Sequence, residues 1–171
     1  MDIREFKIKV LPLKDRLFRL AKRLLEDPDD AEDAVQEVFI KIWNRKEKMD
    51  EYSSVEAFAV VTTRNHCLDI LRSKKQDEIS LEVLPNSQKE MTAGEGPGYE
   101  EIIATVNRMI KDLPEMQKTI LHLRDIEGYE FTRIAEITGL SENAIRVALS
   151  RARGAVREIL KNKSIYDIKR N

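Results

Sequence analysis

Apolar residues recur along this chain with helical spacing. In residues 27–43, DPDDAEDAVQEVFIKIW, they fall three or four positions apart and mark one face of a helix. That face comprises Ala31, Ala34, Val35, Val38, Phe39, Ile42 and Trp43. Asp29 or Asp30 is expected to cap the start of this helix. No stretch competes with it as a strand, so the pattern predicts an all-α protein.

Two further helices are predicted on either side of this one. Upstream, apolar residues from Phe6 to Leu24 step by three or four, and Pro12 is expected to kink or restart that helix. Downstream, Ser53 and Glu56 have the spacing of a capping box and open the helix VEAFAVVTTRNHCLDILRSKK. Residues 1–76 therefore predict a three-helix core, with a loop near residues 46–54.

The C-terminal part predicts four shorter helices. Their boundaries are marked by Pro114, Gly128 and Gly139. The stretch EFTRIAEITGLSENAIRVALSRAR is typical of a helix-turn-helix, in which Gly139 takes the turn and Ser141 caps the second helix. Residues 101–171 are therefore predicted to form a four-helix domain.

Charge divides the chain at its centre. The net charge is +1 for residues 1–76, −5 for residues 77–100 and +3 for residues 101–171. The acidic segment is rich in Gly and Pro and has no sustained apolar period, as expected of a flexible linker. We therefore expect two small helical domains, residues 1–76 and 101–171, joined by a linker over residues 77–100.

The predicted last helix carries a cationic outer face that suits duplex DNA. Its apolar stripe is expected to face the core and comprises Ile145, Leu149, Ala152 and Val156. A set of polar residues then faces outward. That set is Ser141, Asn143, Arg146, Ser150, Arg151, Arg153 and Arg157. Such helices enter the major groove with their N-terminal residues on base edges. We expect Asn143 and Arg146 to read bases, and the later arginines to contact phosphates.

Composition excludes several other functions. One cysteine and two histidines give neither a disulfide nor a metal site, and no phosphate loop or catalytic triad order is present. No cofactor, small-molecule substrate or enzymatic activity is therefore expected. No apolar run is long enough for a membrane span or a signal peptide, so we expect a cytoplasmic protein.

The chain resembles the extracytoplasmic-function (ECF) sigma factors of bacterial RNA polymerase in the order and spacing of its segments. These segments are AEDAVQEVFIKIW, FAVVTTRNHCLDILR, an acidic linker and LPEMQKTILHLRDIEGYEFTRIAEITGLSENAIRVALSRAR. The resemblance implies that the first domain is sigma region 2 and the second is sigma region 4. Region 2 would bind the coiled coil of the largest polymerase subunit through Asp33, Gln36, Glu37 and Ile40. Region 4 would read the minus-35 element and touch the polymerase flap. An anti-sigma protein, often membrane-bound, is a further implied partner.

Region 2 of such factors also recognises and melts the minus-10 element. By matching position, the loop that traps a flipped base lies at about residues 48–54. The candidate residues are Met49, Asp50, Glu51, Tyr52, Ser53, Phe58, Arg64 and Arg72, with Lys74 and Lys75 beside them. The chain departs from the family pattern at Ala148, often a basic residue, and at Phe58, often Trp.

Two alternatives stay open on the sequence alone. A free-standing helix-turn-helix regulator would explain the C-terminal domain, although residues 1–76 offer it no obvious ligand domain. For Phe39 and Trp43, core packing is the expected role, whereas Phe58 suits packing and base stacking about equally.

Overall fold

The computed structural model describes residues 1–47, 54–80 and 99–168. Within these ranges the chain forms eight α-helices and no strand, which confirms the predicted all-α class. The helices are α1 Ile3–Lys9, α2 Lys14–Leu25, α3 Pro28–Asn44, α4 Val55–Ser80, α5 Tyr99–Asp112, α6 Glu115–Leu121, α7 Phe131–Thr138 and α8 Glu142–Ile168. None of the helices in the described ranges is long and apolar enough to cross a membrane.

Proline interrupts the N-terminal helical pattern, as its position predicts. A single 3₁₀ turn, Leu11–Leu13, contains Pro12 and separates α1 from α2. At the start of α1, Asp2 and Glu5 form a capping box, in which each side chain accepts a hydrogen bond from the other residue's backbone N–H. The short α1 therefore has its own start signal.

The cap of α3 lies two residues earlier than predicted. The carboxylate of Asp27 accepts hydrogen bonds from the backbone N–H groups of Asp29 and Asp30, at 2.8 and 3.0 Å. Pro28 occupies the first helical position, where its missing N–H costs nothing. The prediction of Asp29 or Asp30 as the cap was wrong because Pro28 already belongs to the helix.

At the start of α4 the hydroxyl of Ser54 accepts a hydrogen bond from the backbone N–H of Ala57 at 3.0 Å. The predicted capping box placed this role on Ser53, which lies outside the described residues. Its other member, Glu56, turns instead to Arg16 and Tyr129. Because Ser53 and Ser54 are neighbours of equal capping ability, the sequence could not fix the position of the cap to better than one residue.

Helices α2, α3 and α4 pack together around the first of two apolar centres. The fully buried side chains there include Leu17, Leu20, Val35, Val38 and Ile42. The rings of Phe39 and Trp43 are half-buried and meet the ring of Phe6 edge to face, with centroids 6.1 and 5.5 Å apart. This agrees with the packing role expected for Phe39 and Trp43.

Helices α5 to α8 form the second centre, around Ile120, Leu123, Ile134, Ile145 and Leu149. Helix α6 continues into a π-helical stretch, His122–Ile126, which the sequence did not predict. Gly128 follows it with φ of +72° and lets the chain turn into α7.

The first module (residues 1–47 and 54–80) and the second module (residues 99–168) pack directly on each other through α2 and α4 on one side and α6 and α7 on the other. Glu127 lies at the centre of this contact with 3 % of its side chain exposed. Arg19 donates to both of its carboxylate oxygens, at 2.7 and 2.9 Å, and Arg16 donates to one at 3.1 Å. These donors hold the pKa of Glu127 below its ordinary value.

Two further polar contacts join the modules. The hydroxyl of Tyr129 donates to Glu56 at 2.7 Å. The carboxylate of Glu26, at the end of α2, lies 3.2 and 3.4 Å from the ammonium groups of Lys111 and Lys118. Neither the composition of the linker nor the apolar pattern predicted that the two domains would pack against each other.

Candidate nucleic-acid and partner interfaces

The helix-turn-helix is built by α7, a three-residue turn and α8. Gly139 ends α7 with φ of +73°, a conformation that favours glycine. Leu140 packs against the core from the turn, and the hydroxyl of Ser141 accepts a hydrogen bond from the backbone N–H of Ala144 at 3.2 Å. The roles that the sequence predicted for Gly139 and Ser141 agree with the structure.

The predicted polar face of α8 is exposed from Ser141 to Arg157. Ile145, Leu149 and Ala152 are buried, and Val156 is half-buried. All seven candidates for DNA contact are exposed: Ser141, Asn143, Arg146, Ser150, Arg151, Arg153 and Arg157. The structure therefore brings these residues together on one open surface.

The arginines of this surface differ in how they are held. Arg146 pairs with Glu142 at 3.0 Å and lies over the ring of Phe131, 4.1 Å from its centroid. Arg153 donates to Asp125 at 3.0 Å, which raises its pKa. A phosphate must therefore compete with Asp125 for Arg153, whereas it meets no such competitor at Arg151 or Arg157 within the described part of the chain.

The outer face of α3 presents the four residues predicted to meet the polymerase. Asp33, Gln36 and Glu37 are exposed, and Ile40 keeps 53 % of its surface accessible. Ile40 lies about one turn beyond Gln36 and Glu37, so it forms a small apolar spot at the end of a row of two carboxylates and an amide. This surface suits a partner that offers both an apolar contact and basic side chains.

The predicted minus-10 residues fall into three groups. Met49, Asp50, Glu51, Tyr52 and Ser53 lie outside the described residues. Phe58 is 5 % exposed, so its ring offers no face for stacking on a base in this arrangement, and of its two suggested roles packing is the one realised. Arg72 is exposed on α4, and its guanidinium lies 3.5 Å from Asp69.

Arg64, the remaining minus-10 candidate, is half-covered by the second module. Its guanidinium lies 4.0 Å from the sulfur of Met116 in α6, and burial lowers its pKa. Its Nε atom is buried and has no hydrogen-bond partner among the described residues. The contact between the modules thus lies on the same face of α4 as a predicted DNA-binding residue.

Sequence reasoning missed the residues of the module contact. Arg16, Arg19 and Glu127 appeared only as charges on helix surfaces, and Arg19 and Glu127 are 108 positions apart. No periodic pattern reports a pairing over such a distance. A weak sign was Tyr129, an aromatic residue just after Gly128, which is buried and whose pKa burial raises.

Comparison with known proteins places both modules in one family. Residues 10–76 match the family model described as Sigma-70 region 2, and residues 103–156 match Sigma-70, region 4. Together the two matches span well over half of the chain.

Individual relatives agree with this assignment. The chain is 28 % identical to the RNA polymerase sigma-H factor of Pseudomonas aeruginosa, over 93 % of this chain and 88 % of that protein. It is also 28 % identical to the RNA polymerase sigma-E factor of Streptomyces coelicolor, with the same coverage of both chains.

A solved structure has the same fold. The sigma factor RpoE of Bartonella quintana, in complex with the anti-sigma factor NepR, superposes with a TM-score of 0.76 at 24 % identity, covering 93 % of this chain and 98 % of that one. From these matches, together with the order of its two helical modules, the chain belongs to the ECF group of the sigma-70 family of RNA polymerase sigma factors.

Proposed function

We propose that this sigma factor binds core RNA polymerase through the exposed face of α3 and reads promoters with α4 and α8. The observation that carries the proposal is the open cationic face of α8, the second helix of the helix-turn-helix, which lies opposite the buried stripe of the same helix. As a sigma factor the chain directs transcription initiation and is not itself an enzyme.

On the polymerase side, Asp33 and Glu37 supply two exposed carboxylates one helical turn apart. Basic residues on the coiled coil of the largest subunit are the proposed partners. Ile40 lies on the same face and adds an apolar contact. The second module is proposed to meet the polymerase flap.

On the DNA side, α8 is proposed to lie in the major groove of the minus-35 element. Asn143 and Arg146 read base edges, while Arg151, Arg153 and Arg157 contact phosphates. Residues 48–54, together with Arg64 and Arg72, are proposed to take up the melted minus-10 strand. This work belongs in the cytoplasm, where core polymerase and the chromosome are found.

An anti-sigma protein is the proposed regulator. The support is a likeness of fold: the Bartonella quintana protein was solved in complex with the anti-sigma factor NepR, and CnrH, at a TM-score of 0.70, in complex with the cytosolic domain of CnrY. Such a partner would cover the exposed face of α3 and so compete with polymerase.

The proposed function is tested by transcription with purified bacterial core polymerase on fragmented genomic DNA from the source organism. New start sites that need the protein and share two upstream elements are the expected result. DNA binding by a dimer, with no new start sites, would instead favour the free-standing regulator.

A double substitution on α3 tests the proposed contact with polymerase. Asp33→Lys with Glu37→Lys should weaken competition for core polymerase and leave the fold intact, because both side chains are exposed. The matched control, Asp112→Lys with Glu158→Lys, makes the same change in net charge on exposed residues elsewhere. Equal competition by both double variants would contradict the α3 assignment.

A further inference from the structure

Over the first turns of α8, the centre of the outward face is neutral. An α-helix turns by about 100° per residue, so the positions opposite Ile145, Leu149 and Ala152 are Asn143, Val147 and Ser150. All three outward residues are exposed. They form a line along the first turns of the helix, where a helix in the major groove meets base edges.

Val147 is the large apolar residue on this line, and 46 % of its surface is accessible. It belongs to neither the buried core nor the half-buried residues packed against it. Valine is also a poorer helix former than alanine or arginine. Packing and helix propensity therefore give no reason for valine here. Single exposed apolar residues are common. Val147 differs from them because it lies on the line of outward residues that would meet base edges.

Cations lie along the borders of this line. Arg151 follows on one side, and Arg157 on the other, both exposed. Arg146 is drawn to the border next to α7 by Glu142 and the ring of Phe131. With Arg151 and Arg157 at the borders set for phosphates, and Arg146 directed to a base edge beside α7, the central side chains are the ones that reach the middle of the groove floor.

The floor of the major groove offers one kind of apolar group, the C5-methyl of thymine. The β-branched side chain of Val147 has a single preferred rotamer in a helix, so its methyl groups are held in place before DNA arrives. We propose that Val147 is a specificity-determining residue that contacts the methyl group of a thymine in the minus-35 element. This inference rests on the proposed function, because it requires α8 to lie in that element.

The test removes only the methyl group. Once start-site mapping has given the upstream element, each of its thymines on either strand is replaced singly by deoxyuridine. Transcription is then measured with core polymerase and the full-length protein. The variants are Val147→Ala, which removes the contact, and Val147→Thr, which keeps one methyl group. Ile126→Ala is the control, because Ile126 is an equally exposed apolar residue of the same module outside α8.

For the wild-type chain and the Ile126→Ala control, one deoxyuridine is expected to lower transcription about fourfold, the factor that corresponds to about 0.8 kcal/mol for one buried methyl-sized group. The Val147→Ala variant should not respond to that replacement, and Val147→Thr should respond in between. All variants should retain the wild-type helix content, because the two altered side chains are exposed.

Three results would overturn the inference while leaving the proposed function in place. They are an upstream element without an A·T pair, a wild-type chain insensitive to every replacement, and a Val147→Ala variant as sensitive as the wild type. A complete absence of polymerase-dependent start sites would instead overturn the proposed function and this inference together.

Discussion

At the scale of single residues, the arginines of α8 share one charge but differ in their settings. Arg146 is fixed between Glu142 and Phe131 near the start of the helix, and Arg157 stands exposed near the end of the reading surface. A fixed guanidinium loses less conformational freedom when it pairs with a base. An exposed one serves as a mobile charge beside the phosphate backbone.

Alanine substitutions should separate these two roles. Arg146→Ala is expected to relax sequence preference at one promoter position by about 1–3 kcal/mol. Arg157→Ala should weaken binding uniformly across sequences and reduce the slope of log affinity against log salt by about one. Competition binding of the polymerase holoenzyme to promoter variants, at several salt concentrations, measures both. Equal losses on every sequence for both variants would contradict the distinction.

At the scale of elements, the helices could be predicted from periodicity but their first residues could not. The apolar spacing located all of the main helices, because burial of one face imposes a period of 3.6 residues. Caps depend on one hydrogen bond to a particular N–H group. In the run Asp27, Asp29 and Asp30, and in the pair Ser53 and Ser54, several side chains could have made that bond.

The cap of α3 gives a direct stability test. Asp27→Ala removes the acceptor for two backbone N–H groups and should lower the free energy of unfolding by about 1 kcal/mol. Asp29→Ala removes a first-turn charge only and should cost roughly 0.3 kcal/mol. Urea denaturation followed by circular dichroism measures both, and a larger loss for Asp29→Ala would restore the original prediction.

The π-helical stretch after α6 buries a histidine. Burial lowers the pKa of His122 to about 4, and neither ring nitrogen makes a hydrogen bond within the described part of the chain. In an unfolded chain its pKa is about 6.5. The neutral ring therefore contributes stability that is complete above pH 6.5 and is lost as the pH falls from 6.5 towards 4.

Replacement by a similar-sized apolar residue should remove this pH dependence. Between pH 6.5 and pH 4.5 the melting temperature of the wild-type chain is expected to fall more steeply than that of His122→Leu. Glu127 acts at lower pH, because its own pKa is held below 4.5. Thermal unfolding at half-unit pH steps gives both slopes, and parallel slopes would mean that His122 does not titrate on unfolding.

At the scale of the whole molecule, the modules are held together by charges that are remote in sequence. The contact of Arg19 with Glu127 is bidentate and surrounds a carboxylate that is almost fully buried. Removing Arg19 leaves this buried carboxylate with a single guanidinium, that of Arg16, and a buried charge that loses part of its compensation costs more than the pair itself contributes. Pattern analysis could predict two modules and the charges they carry, but not which charges meet.

A charge swap tests this contact. Arg19→Glu and Glu127→Arg should each separate the modules and increase the radius of gyration, because each places like charges together. The double variant restores opposite charges at this pair but leaves a like charge facing Arg16, so the radius should return part of the way to that of the wild type. Small-angle X-ray scattering measures the change, and Arg72→Glu is the control on an exposed residue of the first module. Expansion of the double variant beyond either single variant would contradict the pairing.

Because Arg64 lies behind Met116, the affinity of the free protein for a promoter depends on the fraction of molecules in which the two modules are apart. In the proposed function, a melted strand would reach the side of the Arg64 guanidinium that Met116 covers only in the fraction of molecules whose modules have parted. The apparent dissociation constant is the intrinsic constant divided by that fraction, so an open population of about 1 % would weaken binding about 100-fold. Core polymerase that holds the two modules on separate sites would remove this factor, and the contact between the modules would then make the proposed promoter recognition conditional on polymerase.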